Sequence, residues 1–148
     1  MKYTILAFAL FFFGAVQSQI LEPVKWSTSV EKVSNKEYVL VATAIIEPHW
    51  HLYSQNVPED GPVPTVFTFE NDGNFLKKGN TLEDKGLTIN DPVFEMQIKY
   101  FENMAIFKQT VRLKNETPLS IKGKVMFMVC DDTRCLPPTE VDLVFTLK

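Results

Sequence analysis

A chain of 148 residues with 15 basic and 18 acidic side chains, a formal net charge of −3, is long enough for one hydrophobic core and too short for several. Its lysines and arginines form no cluster, which argues against a nucleic-acid partner, because phosphate binding needs cations gathered on one face. Only two cysteines are present, Cys130 and Cys135, and both fall in one short segment.

The N-terminus opens with Lys2, continues through an apolar block over residues 5–13, and reaches Gly14, Ala15, Val16 and Ser18. That order is the pattern of a secretory signal peptide cut after Ser18. The apolar run falls short of the ~20 residues a helix needs to span a bilayer. No cysteine lies near the cut to carry a lipid. The expected organisation is therefore a signal peptide over residues 1–18 and one exported domain over residues 19–148, periplasmic or otherwise extracytoplasmic. Removing the leader takes one lysine and no acid, leaving a formal charge of −4. Export also places the cysteines where a disulfide can persist.

In the mature chain, residues 24–33 and 38–46 are rich in β-branched side chains and flank Ser34-Asn35-Lys36, which is turn chemistry, so they are expected to form a hairpin. Residues 47–55 carry Pro48-His49-Trp50-His51-Leu52-Tyr53. The following stretch holds Pro58, Gly61, Pro62 and Pro64, which forbid regular pairing and predict an ordered loop. Val66, Phe67 and Phe69 mark a short strand. Asn71-Asp72-Gly73 and Lys78-Gly79-Asn80 place turns around Phe75-Leu76, and residues 81–92 read as a polar loop.

Residues 94–101 alternate apolar and polar and fit either a strand or a loop. Residues 104–113 predict a strand with Phe107, Val111 and Leu113 on one face. In the next strand Leu119, Ile121, Val125, Phe127 and Val129 share the core parity, while Met126, Met128 and Cys130 share the other. If that register holds, Cys130 leaves the strand on the outward face and something else must cover it and the two methionines. Residues 140–147 form a last strand, with Val141, Leu143, Phe145 and Leu147 inward. About eight short strands without helical periodicity predict an all-β domain, an immunoglobulin-like β-sandwich in preference to a closed barrel.

Closing so short a cysteine loop contributes only about 2 kcal/mol by chain entropy, so stabilisation is a weak reason to place both thiols there and redox exchange a better one. Exchange runs through the thiolate. Asp131 and Asp132 beside Cys130 disfavour a thiolate, whereas Arg134 beside Cys135 favours one, which makes Cys135 the attacking sulfur and Cys130 the resolving one. Pro137 and Pro138 offer no amide hydrogens and stiffen the backbone after Cys135, holding the site open to a partner.

The segment Cys130-Asp-Asp-Thr-Arg-Cys135-Leu-Pro-Pro138 at the end of a late strand resembles the active-site segment of the N-terminal periplasmic domain of the bacterial thiol:disulfide interchange protein DsbD, a transmembrane disulfide reductase. Trp50-His51-Leu52-Tyr53-Ser54-Gln55, Gly61-Pro62-Val63-Pro64-Thr65 and residues 94–100 are similar to that domain as well, and the likeness runs from about residue 26 to residue 145. The resemblance implies an immunoglobulin-like fold and a protein-disulfide reductase type of activity without a cofactor. Its cysteine pair receives electrons from a thioredoxin-like domain fed by a membrane thiol carrier. It passes them to oxidised thioredoxin-like and disulfide isomerase-like periplasmic proteins, including those of cytochrome c maturation. It further implies that Cys135 forms the mixed disulfide, that a cap loop carrying Phe94, with Val93 beside it, shields the pair, and that His51 and Tyr53 line the site. Met128, Arg134 and Pro137 complete the expected site on the strength of their own chemistry.

The chain departs from the family pattern in having one residue fewer between its cysteines and in carrying His51 where a tyrosine is expected. It also holds one domain, so the membrane carrier is expected to be encoded separately. Two other functions compete with exchange. The disulfide could brace a non-catalytic binding loop, or His49, His51, Met126, Met128 and the thiols could hold Cu(I). Zinc-type spacing, a Gly-rich phosphate loop and a serine-nucleophile motif are absent from the sequence. Asp131, Asp132 and Glu140 read as solvated turn charges rather than catalysts.

Overall fold

The computed structural model describes residues 21–70, 73–115 and 120–147. The predicted leader, Leu119, Asn71-Asp72 and Glu116-Thr117 lie outside them. Among the described residues every regular element is a strand: β1 (Val24–Lys32), β2 (Glu37–Ile46), β3 (His51–Tyr53), β4 (Val66–Phe69), β5 (Phe75–Glu83), β6 (Leu87–Asp91), β7 (Met96–Phe101), β8 (Met104–Leu113), β9 (Ser120–Phe127), β10 (Val129–Cys130) and β11 (Thr139–Thr146). They pair antiparallel in three sheets, ordered β1-β2-β8-β5, β10-β3-β7-β6 and β11-β9-β4.

The first hairpin forms where Ser34 was expected to turn the chain. Its Oγ accepts from the Glu37 amide at 3.1 Å while Val33 N donates to Glu37 O at 2.9 Å, and β1 and β2 then pair from Lys32↔Tyr38 to Val24↔Ile46. Alternation along β2 and β8 sends Leu40, Ala42, Ala44, Phe107 and Val111 inward, against Ile121, Val125, Leu143 and Phe145 from β9 and β11. Trp26 of β1 joins the layers, its ring meeting Phe67 of β4 edge-on at 5.8 Å and Phe127 of β9 at 5.4 Å. The result is an immunoglobulin-like β-sandwich.

In the sheet of β10, β3, β7 and β6, the first three strands bury side chains on both faces. Leu52, Phe101 and Val129 point into the main core, and the alternate residues Tyr53, Ile98, Tyr100 and Cys130 form a separate small cluster on the back. The parity expected of the cysteine strand thus holds through Cys130, and a second layer covers it. The cover reaches Met128 but not Met126, which is 37% exposed on β9.

Residues 81–92 correct the sequence reading, because the expected loop is the end of β5 together with β6. Both are edge strands with mostly exposed side chains on either face, so they carry no alternation to read. Between Lys78 and Leu82 β5 bulges away from β8, and the buried Gln109 fills the gap. Its Nε2 donates to Lys78 O at 3.2 Å and its Oε1 accepts from Thr81 Oγ1 at 2.9 Å. Residues 47–55, for which no strand was expected, contain β3, too short to announce itself. Residues 94–101 resolve into a turn followed by β7.

Candidate functional site

Cys130 and Cys135 are joined in a disulfide with their Cα atoms 4.0 Å apart, and together they close a tight hairpin after β10. Leu136 N donates to Val129 O at 2.9 Å and Asp131 N to Arg134 O at 2.9 Å. Asp131 builds the turn itself: its Oδ1 accepts from Thr133 N at 2.8 Å, Thr133 Oγ1 at 2.8 Å and Arg134 N at 2.9 Å. Those donors hold the carboxyl at about 2, well below its ordinary value. The negative charge expected beside Cys130 is therefore permanent. The Arg134 guanidinium is divided between Asp131 Oδ2 at 3.4 Å and the face of the Trp50 ring, 5.9 Å from its centroid.

The two sulfurs differ sharply in access. Cys130 is 1% exposed, packed with Tyr53, Ile98 and Tyr100, whereas Cys135 lies half-buried at the margin of that cluster with Phe94, Met96, Val57 and Met128. Pro137 and Pro138 stand exposed beyond it. Met128 is anchored on both sides, its carbonyl accepting from Tyr53 N at 3.5 Å and its Sδ from Val63 N at 3.4 Å.

The loop from β6 to β7 lies over this cluster. Phe94 is half-buried and meets the Tyr53 ring edge-on at 5.9 Å, while Val93 is 40% exposed. Asp91, itself 1% exposed, clasps the loop: its Oδ1 accepts from Val93 N at 2.8 Å and Phe94 N at 3.1 Å, and its Oδ2 from Tyr53 OH at 2.9 Å. Glu95 closes the turn at a φ of 54°, in the left-handed region, with its amide donating to Asp91 O at 2.8 Å. Burial, and then the bond to Asp91, push the Tyr53 hydroxyl far above its ordinary value, so it remains a donor. Asp91 was not singled out from sequence, because Asn90-Asp91-Pro92 has the composition of any turn.

His51 lies directly opposite Cys130 in the β3–β10 register, 8% exposed. Its ring stacks on Tyr100 at 4.3 Å and 13°, and its Nε2 lies 3.2 Å from Glu102 Oε1. Burial first, then the charges of Glu102 and Asp132, raise the Tyr100 hydroxyl above its ordinary value. Below Tyr53, Ser54 Oγ donates to Glu83 Oε1 at 2.5 Å and Lys99 Nζ sits 2.9 Å from the same oxygen. Burial lifts the Glu83 carboxyl, but Lys99, Ser54 and the Gln55 amide together outweigh it, and it stays below its ordinary value.

The structure thus gathers Cys130, Cys135, Phe94, Tyr53, His51 and Met128 at one place, with Arg134 and Pro137 on the hairpin beside them. It does not gather the soft donors proposed for copper. Both sulfurs of the cysteines are bonded to each other, Met126 faces outward, and His49 stands exposed at a φ of 70° while His51 is turned to Glu102.

A sequence model of the family described as thiol:disulfide interchange protein DsbD, N-terminal, matches residues 17–146. In three dimensions the chain is similar to the DsbD n-terminal domain of Neisseria meningitidis in the reduced form, at 13% identity and a TM-score of 0.56, over 87% of this chain and 96% of that one. It is also similar to the N-terminal periplasmic domain of ScsB from Proteus mirabilis, at 12% identity and a TM-score of 0.55, over 84% of this chain and 48% of that one. Likeness at such identities speaks for the fold alone. No curated protein sequence matches the chain.

Proposed function

Because the chain belongs to the family of DsbD N-terminal domains, we propose that it is a periplasmic thiol–disulfide exchange domain. In this reading it carries electrons through Cys130 and Cys135 from a membrane-linked thiol reductase system to oxidised periplasmic proteins. The observation that carries the reading is the unequal access of the two sulfurs beneath a loop held by a few hydrogen bonds. Cys130 is buried among aromatics, Cys135 lies at the rim, and Phe94 packs against the same cluster through the Tyr53 ring. A staple that only braced a binding loop would gain nothing from such a cover.

The chemistry follows from that asymmetry. A partner thiolate attacks Cys135 Sγ, and Cys130 leaves as a thiolate, giving a mixed disulfide. The partner's second thiolate attacks its own bridged sulfur, Cys135 leaves as a thiolate, and the domain holds the electron pair while the partner becomes a disulfide. With an oxidised acceptor the steps reverse: Cys135 attacks, and Cys130 then attacks Cys135 Sγ and expels the reduced acceptor. Thioredoxin-like and isomerase-like proteins are the partners this chemistry suits. The Arg134 guanidinium is taken up by Asp131 and the Trp50 ring, and the prolines keep the hairpin from deforming when the bond opens.

Equilibration of the purified domain with glutathione or dithiothreitol redox buffers tests this directly. Exchange predicts a reduction potential above about −300 mV, whereas a value below that marks a structural bridge.

A further inference from the structure

We propose that His51 moves the proton that Cys130 must lose and regain during exchange, with Glu102 as the residue that positions it. The inference rests on the exchange reading above. Cys130 and His51 are directly opposed in the β10–β3 ladder, an arrangement that puts Cβ atoms about 5 Å apart on one face of the sheet. The same row continues to Glu102, whose Oε1 is 3.2 Å from His51 Nε2. With Nε2 turned toward Glu102, Nδ1 is left as the nitrogen that exchanges a proton. Tyr100, stacked on the imidazole at 4.3 Å, fixes the plane of the ring.

A proton carrier is needed here for a physical reason. When Cys135 is attacked, the sulfur of Cys130 departs as an anion into a space that is 1% exposed and lined by Tyr53, Ile98 and Tyr100. A buried thiolate without a partner is strongly disfavoured. The imidazolium of His51 gives it a proton, forming the neutral thiol and neutral imidazole. In the reverse direction neutral His51 takes the proton from Cys130 as the thiol attacks the mixed disulfide, and the expelled partner thiolate is protonated from solvent. A polar cleft of about 340 Å³ reaches His51 from outside and gives that proton a path to water. The titratable groups facing His51 are Glu102 from the β7–β8 turn, Asp132 from the cysteine hairpin, Tyr100 from β7, and Glu47 and His49 from the turn before β3.

The test uses the reduced domain and a nitrophenyl disulfide whose released thiolate absorbs in the visible. The first phase of release reports attack by Cys135, and the second reports attack by Cys130 on the resulting mixed disulfide. The wild-type second phase should rise across about pH 5 to 8, where a histidine changes charge. In His51→Gln it should be about tenfold slower or more at neutral pH, and should rise only near about pH 8 and above as the thiol itself ionises. The first phase should stay within about twofold, a change of less than about 0.5 kcal/mol in barrier. Glu102 is 40% exposed and its replacement leaves the interior intact, so Glu102→Gln gives an independent reading should His51→Gln not fold. Its second phase should slow severalfold at neutral pH while the first phase is unchanged, since the ring is no longer held by the carboxylate. A second phase unchanged in rate and pH profile in either folded variant overturns the role of His51. A wild-type domain that releases no thiolate at all overturns the exchange reading, and this inference with it.

Discussion

Val129 and Cys130 are adjacent in sequence and equally buried, yet they sit in two different kinds of interior. Val129 joins the main core with Phe107, Phe127 and Leu52, where three sheets close over apolar side chains. Cys130 lies on the back of the same sheet, packed with Tyr53, Ile98 and Tyr100 and bordered by Phe94 from the loop before β7 and Val57 from the loop after β3. The first interior can be opened only by unfolding. In the proposed exchange the second opens by lifting Phe94 and Val93, at the cost of the bonds to Asp91 and of whatever area the Phe94 ring buries. A redox sulfur needs the second kind, protected at rest and reachable on contact.

That contrast can be broken from both sides. Phe107→Ala removes a ring from the main core and should cost about 3–5 kcal/mol in chemical denaturation. Its folded fraction should keep the wild-type rate of reaction with small thiols. Phe94→Ala should cost roughly half as much, because its ring is only half-buried, but should speed reduction of the disulfide by a small thiol about tenfold. Tyr53→Phe leaves an Asp91 oxygen without its buried donor and should cost about 1–2 kcal/mol, with a smaller rise in that same rate. Equal effects of the Phe107 and Phe94 substitutions on sulfur reactivity would erase the distinction between the two interiors.

The smallest effect expected is one of pH. The Asp131 carboxyl titrates lower in the folded hairpin than its ordinary value of 3.8. Its contribution is therefore complete above that value and is lost as pH falls toward about 2. Amide signals of Thr133 and Arg134 followed by NMR through an acid titration should shift over that window while β2 and β8 remain unchanged.

Much of the sandwich could be read from alternation alone. Strands β1, β2, β8, β9 and β11 each bury one face against solvent on the other, and parity identifies the inward residues, including the inference that Cys130 leaves the core face. The edge strands β5 and β6 escaped notice because pairing on one side through backbone bonds leaves no mark in side-chain type. Composition and resemblance had singled out the sulfurs, Phe94, Tyr53 and His51, which the fold places near one another. Asp91 and Glu102 were not, since each acts on a residue far away in sequence, Asp91 on Tyr53 and Glu102 on His51. Charge beside each cysteine pointed to Cys135 as the reactive sulfur. The proposal that Cys135 reacts first draws further support from burial, which depends on the folded back face of β10.

The unequal roles of the two sulfurs can be measured in parallel with Cys130→Ser and Cys135→Ser. Each variant is reduced and mixed with a thioredoxin that lacks its resolving cysteine and carries a nitrophenyl group on the remaining sulfur, and covalent adducts are weighed by mass spectrometry. Rapid accumulation of the adduct with Cys130→Ser, and little or none with Cys135→Ser, is the result predicted. Adducts forming equally fast with both variants, or faster through Cys130, would contradict the account.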